Sequence, residues 1–130
     1  MTIRTILVDD EALAIQGLAL RLEAHPDVEI IETCNNGREA IRAIKTHKPD
    51  LVFLDVEMPG MTGLEVCERI RQLPQGESIP IMIVTGSDDR KSIDAGFKAG
   101  ATQYKTKPVN WSLLGRDVQY MLRASNAFNA

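Results

Sequence analysis

Short apolar runs alternate with longer amphipathic stretches along almost the whole chain, and this alternation constrains the fold more than any other feature. Five runs have the length and the β-branched or leucine-rich character of strands: residues 3–8, 28–33, 51–54, 79–84 and 101–104. Helical spacing of apolar residues predicts five helices: 12–24, then around 40–47, 64–73 and 93–101, and finally 111–124. The strict order of strand and helix predicts a parallel sheet with right-handed crossovers and helices on both faces.

The strand order and the position of a ligand site follow from this pattern. Residues 81–84 are apolar throughout, as in a central strand covered by helices on both faces. Five such units in 130 residues form one domain of ordinary size. We therefore predict an α/β fold, a doubly wound, flavodoxin-like (βα)5 three-layer sandwich whose parallel five-stranded sheet has the order 2-1-3-4-5. Ligands in such sheets bind at the carboxyl ends of the strands, where the order reverses between strands one and three.

Polar residues predict where the helices begin. In a capping box, the cap side chain and an acidic side chain three residues later each accept a hydrogen bond from the other's backbone N–H. A single Ser, Asp or Asn can also cap a helix alone. The sequence predicts two capping boxes, Asn36 with Glu39 and Thr62 with Glu65, and single caps at Ser87 or Asp88 and at Asn110.

The first helix carries two sets of apolar residues. One set recurs along a single stripe and consists of Leu13, Gly17, Leu20 and Ala24. The second set lies beside that stripe and consists of Ile15, Leu18 and Leu22. Together they predict the apolar face of this helix.

Composition excludes several classes of partner. Fifteen Lys and Arg against eighteen Asp and Glu give a net charge of -3, so the chain has no basic field for nucleic acid or anionic lipid. Cys34 and Cys67 are far apart and form no C-x-x-C pair, which argues against a zinc site, a redox motif or a disulfide scaffold. No run reaches the roughly 20 apolar residues of a membrane span, and the N-terminus does not resemble a signal peptide. We expect a cytoplasmic domain that contacts neither nucleic acid nor membrane.

Charged and hydroxyl side chains follow the predicted strands at one edge of the sheet. Asp9 and Asp10 follow strand one, Asp55 follows strand three, Thr85 ends strand four, and Lys107 follows strand five. Each of these residues alone would most often be a turn former or a solvated charge. Purely structural roles do not readily explain why all of them occur together at the ends of these strands.

Three carboxylates in one crevice call for a cation. Two unit charges about 4 Å apart repel by about 4 kcal/mol at an effective dielectric constant near 20. Mg²⁺ takes one or two carboxylates, keeps waters and completes its coordination with phosphate oxygens. An ammonium such as that of Lys107 is suited to hold a phosphoryl group. The set predicts a phosphoryl site with Mg²⁺ as cofactor, in which one Asp can act as a covalent nucleophile.

Four segments together resemble the receiver domain of two-component response regulators. They read VDDE at residues 8–11, DVEMPGMTG at 55–63, VTG at 84–86 and GATQYKTKP at 100–108. The resemblance covers about residues 3–124, so it implies a receiver domain over residues 1–124 and a tail or the start of a linker at 125–130. It further implies a signalling domain that catalyses only its own phosphorylation and dephosphorylation, rather than an enzyme with a separate substrate.

The resemblance implies roles for the acidic residues. Asp55 would be the phospho-acceptor, taking a phosphoryl group from a sensor histidine kinase or a histidine phosphotransfer protein. Asp10 would bind Mg²⁺ directly and Asp9 through water. Asp55 and the backbone carbonyl of Glu57 would be further ligands.

It also implies a switch. Lys107 would hold a phosphoryl oxygen, and its bond to Pro108 would be cis. Thr85 would move toward the phosphoryl group after transfer, and Tyr104 would rotate into the space that Thr85 vacates. This movement would alter the surface made by helix four, strand five and helix five, and so control an output domain or effector protein.

Lys105 departs from the family pattern, since this position in strand five is usually aliphatic. We expect its charge to be carried outward on the long side chain. Glu57 and Ser87 occupy positions that vary within the family and influence the lifetime of the phosphoryl group.

Other functions remain as alternatives. A nucleotide-binding enzyme is disfavoured because none of the nine glycines forms a G-x-G pair or precedes a lysine. A phosphatase of the haloacid dehalogenase type would need an Asp two residues after Asp55, where Glu57 stands. A pseudo-receiver that binds a partner without phosphorylation is the remaining alternative.

The output is open to two interpretations. Residues 111–125 resemble the last helix and exit segment of receivers that precede diguanylate cyclase or phosphodiesterase domains. The other interpretation is a stand-alone receiver that acts by direct contact with a protein. Either form is compatible with a homodimer through helix four, strand five and helix five.

Overall fold

The structure, a computed structural model, describes the backbone of residues 2–129 and the side chains of residues 2–124. Five strands alternate with five helices: β1 (Ile3–Val8), α1 (Ala12–Leu22), β2 (Val28–Cys34), α2 (Gly37–His47), β3 (Leu51–Leu54), α3 (Gly63–Gln72), β4 (Ile81–Thr85), α4 (Arg90–Lys98), β5 (Gln103–Thr106) and α5 (Leu114–Asn129). A 3₁₀ turn at Trp111–Leu113 leads into α5. In the described part of the chain, no helix is long and apolar enough to cross a membrane.

The strands form one parallel sheet in the order β2-β1-β3-β4-β5, which confirms the predicted fold and strand order. The register pairs Val8 of β1 with Leu54 of β3, the last residues of both strands. The residues that follow these two strands therefore emerge side by side at the carboxyl edge of the sheet.

Two apolar layers hold the helices on the sheet, because successive residues of a strand point to opposite faces. Ile6, Val8 and Ile83 belong to the layer that packs against α2 and α3. Leu7 and Phe53 belong to the layer that packs against α1 and α5. The molecule is thus the three-layer sandwich that the sequence predicts.

Helix α1 buries only part of its predicted apolar face. Leu22 is buried, and Ile15 and Leu18 pack against the core beside it. Leu13 and Leu20, by contrast, are 80% and 66% exposed. The prediction grouped both sets as one face, but the helix is rotated so that the set around Leu18 meets the sheet and the stripe of Leu13 and Leu20 faces outward.

The helix caps agree with the sequence in part. The box of Thr62 and Glu65 is complete, with both reciprocal hydrogen bonds formed. Asn36 caps α2 by accepting from the backbone N–H of Glu39, but the Glu39 carboxylate accepts from the Asn36 side chain instead of its backbone. Asn110 accepts from the backbone N–H of Ser112 in the 3₁₀ turn that precedes α5.

The predicted cap of the fourth helix was wrong. Asp89 caps α4, accepting from the backbone N–H of Ser92 at 3.1 Å. Ser87 lies two residues before this cap, and its hydroxyl donates to Glu57. The helix begins at Arg90, so Asp88 lies one residue too early to serve as the cap.

The strand and helix boundaries shift by a few residues. Strand β5 spans Gln103–Thr106, two residues later than predicted, and α1 ends at Leu22 rather than residue 24. Helix α5 continues to Asn129, past the predicted end at Ala124, so the backbone of the predicted tail at 125–129 is helical. Residue 130 lies outside the described residues.

Lys105 is held by an ion pair rather than extended outward. Its Nζ lies 3.1 Å from Oδ2 of Asp117 on α5, and the Asp117 side chain is only 15% exposed. The expectation of an outward charge was wrong because α5 places a carboxylate over the edge strand. The pair links β5 to α5.

Arg71 joins three segments near the end of α3. Its guanidinium donates to the carbonyls of Gly76 and Ile79, in the loop before β4, and twice to that of Gly100 before β5. Five donors in a planar fork allow one arginine to make all these bonds, and burial lowers its pKa without removing its charge. The side chain therefore anchors both loops to α3.

We predict that Arg71→Lys lowers the free energy of unfolding by about 2–3 kcal/mol, because a lysine cannot satisfy all three carbonyls and unpaired acceptors cost about 1–3 kcal/mol each. Urea titration followed by circular dichroism measures this. The matched control is Arg69→Lys, an exposed position on the same helix, which should change stability by less than about 0.5 kcal/mol. Equal midpoints for the two variants would contradict the anchoring role.

Candidate functional site

The two central strand ends bring two carboxylates together. The backbone N–H of Asp55 donates to the carbonyl of Val8 at 2.9 Å, and that of Asp9 donates to the carbonyl of Cys34 at 3.0 Å. Each bond continues the ladder one residue beyond a strand end. The Asp9 and Asp55 backbones are thus fixed by the sheet before their side chains make any contact.

Asp9, Asp10 and Asp55 form an acidic cluster. One carboxylate oxygen from each residue lies within 4.8 Å of the others. Asp55 is 4% exposed and Asp9 is 9% exposed, whereas Asp10 lies at the open side. Oxygen ligands at this spacing suit a hard divalent cation, so the residues present fit Mg²⁺.

Lys107 neutralises part of this cluster. Its Nζ donates to Oδ2 of Asp9 at 3.2 Å and lies 3.8 Å from Oδ1 of Asp55. Burial disfavours the ammonium, but the charges of Asp55 and Asp9 outweigh it and raise the Lys107 pKa. The backbone N–H of Lys107 donates to the carbonyl of Thr85, and the bond to Pro108 is cis, as the resemblance implied.

The surroundings of Asp55 disfavour the ionised form of its carboxylate. Its pKa is raised from 3.8 to about 6, first by burial and then by the charge of Asp9, with a smaller contribution from Asp10. Lys107 and a hydrogen bond from the Glu57 backbone act in the opposite direction. Without a cation, the site therefore stores unfavourable electrostatic energy at Asp55.

Thr85 ends β4 next to this cluster, but its hydroxyl contacts another carboxylate. The hydroxyl donates to Oε1 of Glu57 at 3.2 Å, and Thr85 is fully buried. The Ser87 hydroxyl donates to the same oxygen at 3.1 Å. The sequence analysis named the Glu57 backbone carbonyl as a metal ligand and Glu57 and Ser87 as positions that influence phosphoryl lifetime, but it did not predict that the Glu57 side chain contacts Thr85.

Tyr104 belongs to β5, and its side chain packs against α4. Its hydroxyl donates to the carbonyl of Ser87 at 2.7 Å, and its ring contacts that of Phe97 with centroids 6.3 Å apart. Gly96 permits this position, because a Cβ there would come within 2.7 Å of the Tyr104 ring. Tyr104 thus connects the loop after β4 to the outer face of α4.

The loop after β3 is held by a close approach of backbones. A Cβ at Gly63 would lie 2.1 Å from the carbonyl oxygen of Asp55, so only glycine allows the start of α3 to pack there. The Gly63 N–H donates to the carbonyl of Val56 at 2.9 Å. This packing fixes the loop that carries Asp55 and Glu57.

A cavity of about 500 Å³ opens beside the acidic cluster, between α1 and the segment 107–111 that follows β5. Asp55 and Lys107 are among its lining residues, and Leu13 and Trp111 line its apolar part. The sequence gave no sign of this cavity, because the two segments that enclose it are about 90 residues apart. It gives the acidic cluster an apolar approach.

The structure brings Asp9, Asp10, Asp55 and Lys107 together as the sequence predicted. Thr85 adjoins them at the end of β4, with its hydroxyl held by Glu57. The proximity of Glu57 and Ser87 could have been anticipated, since both follow the ends of the neighbouring strands β3 and β4. The identity of their hydrogen-bond partner could not.

Comparison with known proteins agrees with the fold and the site described above. Residues 5–119 match the family model described as the response regulator receiver domain. The chain is 34% identical to a protein-glutamate methylesterase/protein-glutamine glutaminase of Nocardioides over 94% of its length, and 35% identical to the alkaline phosphatase synthesis transcriptional regulatory protein PhoP of Bacillus subtilis over 96%. It spans 33% and 50% of the lengths of these two relatives.

Solved structures agree with the sequence comparison. The chemotaxis protein CheY4 of Vibrio cholerae superposes with a TM-score of 0.82 at 30% identity, covering 93% of this chain and 99% of that one. The strand order, the acidic cluster and the family match over 115 of 130 residues lead to the same result. The chain belongs to the response regulator receiver domain family and is a domain of phosphorylation-dependent two-component signalling.

Proposed function

We propose that Asp55 accepts a phosphoryl group from the phosphohistidine of a sensor histidine kinase or a histidine phosphotransfer protein. The observation that carries this proposal is the position of Asp55, 4% exposed, with the carboxylates of Asp9 and Asp10 within 4.8 Å and the Lys107 ammonium 3.8 Å away. A carboxylate held in this way, among the lining residues of a cavity, is suited to act as a nucleophile.

In the transfer, an Asp55 carboxylate oxygen attacks phosphorus, and the bond between phosphorus and the histidine nitrogen breaks. The histidine ring, protonated at its second nitrogen, keeps the electron pair of that bond and leaves as a neutral imidazole, while Asp55 becomes an acyl phosphate. Lys107 contributes by holding an equatorial phosphoryl oxygen, which stabilises charge without proton transfer.

The acidic residues fit Mg²⁺ in number and chemistry. Asp10, Asp55 and the backbone carbonyl of Glu57 would hold the ion directly, and Asp9 would support it through water. When bound, Mg²⁺ supplies charge neutralisation to the phosphoryl oxygens. Asp9 in this structure accepts from Lys107 and from the backbone N–H of Glu11, which supports an indirect role for it.

The consequence of phosphorylation would be a change in the α4-β5-α5 surface. Thr85 would turn toward the phosphoryl group, and Tyr104 would follow inward. This surface already exposes Phe97 on α4 and Tyr120 on α5, at 46% and 60% of their areas. Apolar rings exposed there support contact with an output domain, an effector or a second copy of the chain.

The output we favour is a diguanylate cyclase or phosphodiesterase domain, with stand-alone action as the second candidate. The relatives named above extend well beyond the receiver portion, in agreement with a larger protein. We place the domain in the cytoplasm, because Cys34 and Cys67 are both free thiols. Nucleic acid and membrane are not proposed as direct partners.

We predict that incubation with acetyl phosphate and Mg²⁺ adds one phosphoryl mass to the wild-type chain and none to Asp55→Asn, because the amide is not a nucleophile. Intact-mass spectrometry measures the change. Asp94→Asn, at an exposed position on α4, serves as the control and should be labelled like wild type. If the wild type gained no phosphoryl mass, the phosphorylation-independent pseudo-receiver would be favoured. If Asp55→Asn were labelled, the phospho-acceptor would be a residue other than Asp55.

The raised pKa of Asp55 predicts how stability depends on pH in the absence of metal. Its folded-state pKa of about 6 lies above the unfolded value of 3.8, so the proton binds more tightly to the folded state. The ionised group therefore costs stability above pH 6, and this cost fades as the pH falls toward 3.8. A shift of about two units corresponds to about 3 kcal/mol as an upper value.

We therefore expect Asp55→Asn to be about 2–3 kcal/mol more stable than wild type at pH 7 in EDTA, with the advantage shrinking as the pH falls to 4. Urea titrations at a series of pH values test this. Saturating Mg²⁺ should stabilise the wild type more than the variant, because the variant has lost one ligand charge. An advantage that does not change with pH would contradict the assignment of the cost to Asp55.

The protein donor needs a docking surface, and the exposed face of α1 supplies one. Leu13 lines the cavity that leads to Asp55, and Leu20 lies further along the same exposed face. We propose that the helix carrying the phosphohistidine packs against this face. Such contact would bring the phosphorus close to Asp55, since Leu13 and Asp55 line the same cavity.

Leu13→Asp should slow phosphotransfer at least about tenfold from any phosphohistidine protein that labels the wild type, because a buried charge opposes docking. Labelling by acetyl phosphate should stay within about twofold of wild type, since that donor needs no docking surface. Radiolabel transfer and intact mass measure the two rates. Equal loss with both donors would show damage to the site rather than to docking.

A further inference from the structure

The side chain of Glu57 touches the residue proposed to respond to phosphorylation. One of its oxygens, Oε1, accepts from the Thr85 hydroxyl at 3.2 Å and from the Ser87 hydroxyl at 3.1 Å. Both donors belong to the end of β4 and the loop that follows it. A single carboxylate on the β3 side therefore holds two hydroxyls on the β4 side.

The Thr85 hydroxyl has only one proton to donate. In this structure that proton is given to Glu57, and the oxygen of the hydroxyl accepts from the backbone N–H of Ser87 at 3.5 Å. A phosphoryl oxygen on Asp55 would require the same proton. Glu57 and the phosphoryl group are therefore mutually exclusive acceptors for Thr85.

We propose that Glu57 is a positioning residue whose side chain binds the Thr85 hydroxyl in the unphosphorylated state. The phosphorylated state then forms only when Thr85 gives up its hydrogen bond to Glu57 and donates to the phosphoryl group instead. The inference rests on the proposed phosphorylation of Asp55 and assigns the Glu57 side chain a specific hydrogen-bonding role in the switch. The carboxylate opposes the switch as long as it keeps Thr85. A charged acceptor is suited to this role because its hydrogen bonds are stronger than those of a neutral one.

The same contact reaches the outer surface through Ser87. The Ser87 hydroxyl is bonded to Glu57, while its carbonyl accepts from the hydroxyl of Tyr104 at 2.7 Å. The Tyr104 ring is confined against Gly96 of α4, where no Cβ would fit. When Glu57 releases the hydroxyls of Thr85 and Ser87, the loop after β4 that positions Tyr104 becomes free to move. A change at the site is thereby transmitted to α4.

The test uses beryllofluoride with saturating Mg²⁺ as a phosphoryl mimic. Trp111 is the single tryptophan and lines the same cavity as Asp55 and Lys107, so its fluorescence reports binding. We expect Glu57→Ala to lower the half-saturating beryllofluoride concentration about fivefold to tenfold, since one charge-assisted hydrogen bond no longer competes. Glu57→Gln, which keeps the oxygen and loses the charge, should give a smaller shift.

Removing the negative charge of Glu57 could by itself favour binding of the beryllofluoride anion. Two controls separate this charge effect from loss of the hydrogen bond to Thr85. Asp88→Asn removes a charge from the same loop, has no side-chain bond to Thr85, and should shift the concentration less than about twofold. In a Thr85→Ala background, Glu57→Ala should give no further gain. A gain of equal size in that background would overturn the proposal, because Glu57 would then act through charge alone.

A second readout follows the unphosphorylated protein. In Glu57→Ala without beryllofluoride, the amide NMR signal of Ser87 should move toward its position in beryllofluoride-bound wild type. An unmoved signal would also overturn the proposal, and Glu57→Val, which likewise has no acceptor, provides the same reading if the alanine variant does not fold. Failure of the proposed function is distinct, since the wild type itself would then gain no mass with acetyl phosphate.

Discussion

The structure depends on the charge balance between Asp55, Asp9 and Lys107. The register of β1 against β3 fixes the two acidic backbones side by side, and burial together with the charge of Asp9 raises the pKa of Asp55 to about 6. Lys107 arrives from the far end of the chain and lies within 4 Å of both carboxylates. The site is therefore only partly neutralised, and this incomplete balance supports the proposal that it binds a divalent cation.

The helices around the sheet differ in how firmly they are anchored. Helix α3 buries four residues and is further tied by Arg71 to two loops, so it is held by many buried contacts. Helix α4 buries only Gly96 among its own residues and meets the sheet through the Tyr104 ring. A small change at the end of β4 is thus more readily transmitted to α4 than to α3, because fewer buried contacts resist it.

A chain of hydrogen bonds connects the acidic cluster to α4. Thr85 ends the strand beside this cluster, and its hydroxyl donates to Glu57. Ser87 donates to the same carboxylate and accepts from Tyr104. A signalling domain needs two states of similar free energy. When the Thr85 hydroxyl changes from one hydrogen-bond acceptor to another, the free-energy difference between the two states changes by a modest amount. The geometry favours a switch that works by substitution of hydrogen bonds rather than by large rearrangement.

The sequence alone determined the alternating order of strands and helices, the parallel sheet, and the clustering of Asp9, Asp10, Asp55 and Lys107, because strand period and strand ends are local properties. The capping box at Thr62 was equally local. Tertiary structure decided which face of α1 is buried, the pairing of Lys105 with Asp117, and the acceptor of the Thr85 hydroxyl. These depend on helix rotation and on side chains distant in the chain, and no periodicity encodes which of several partners comes within hydrogen-bond distance.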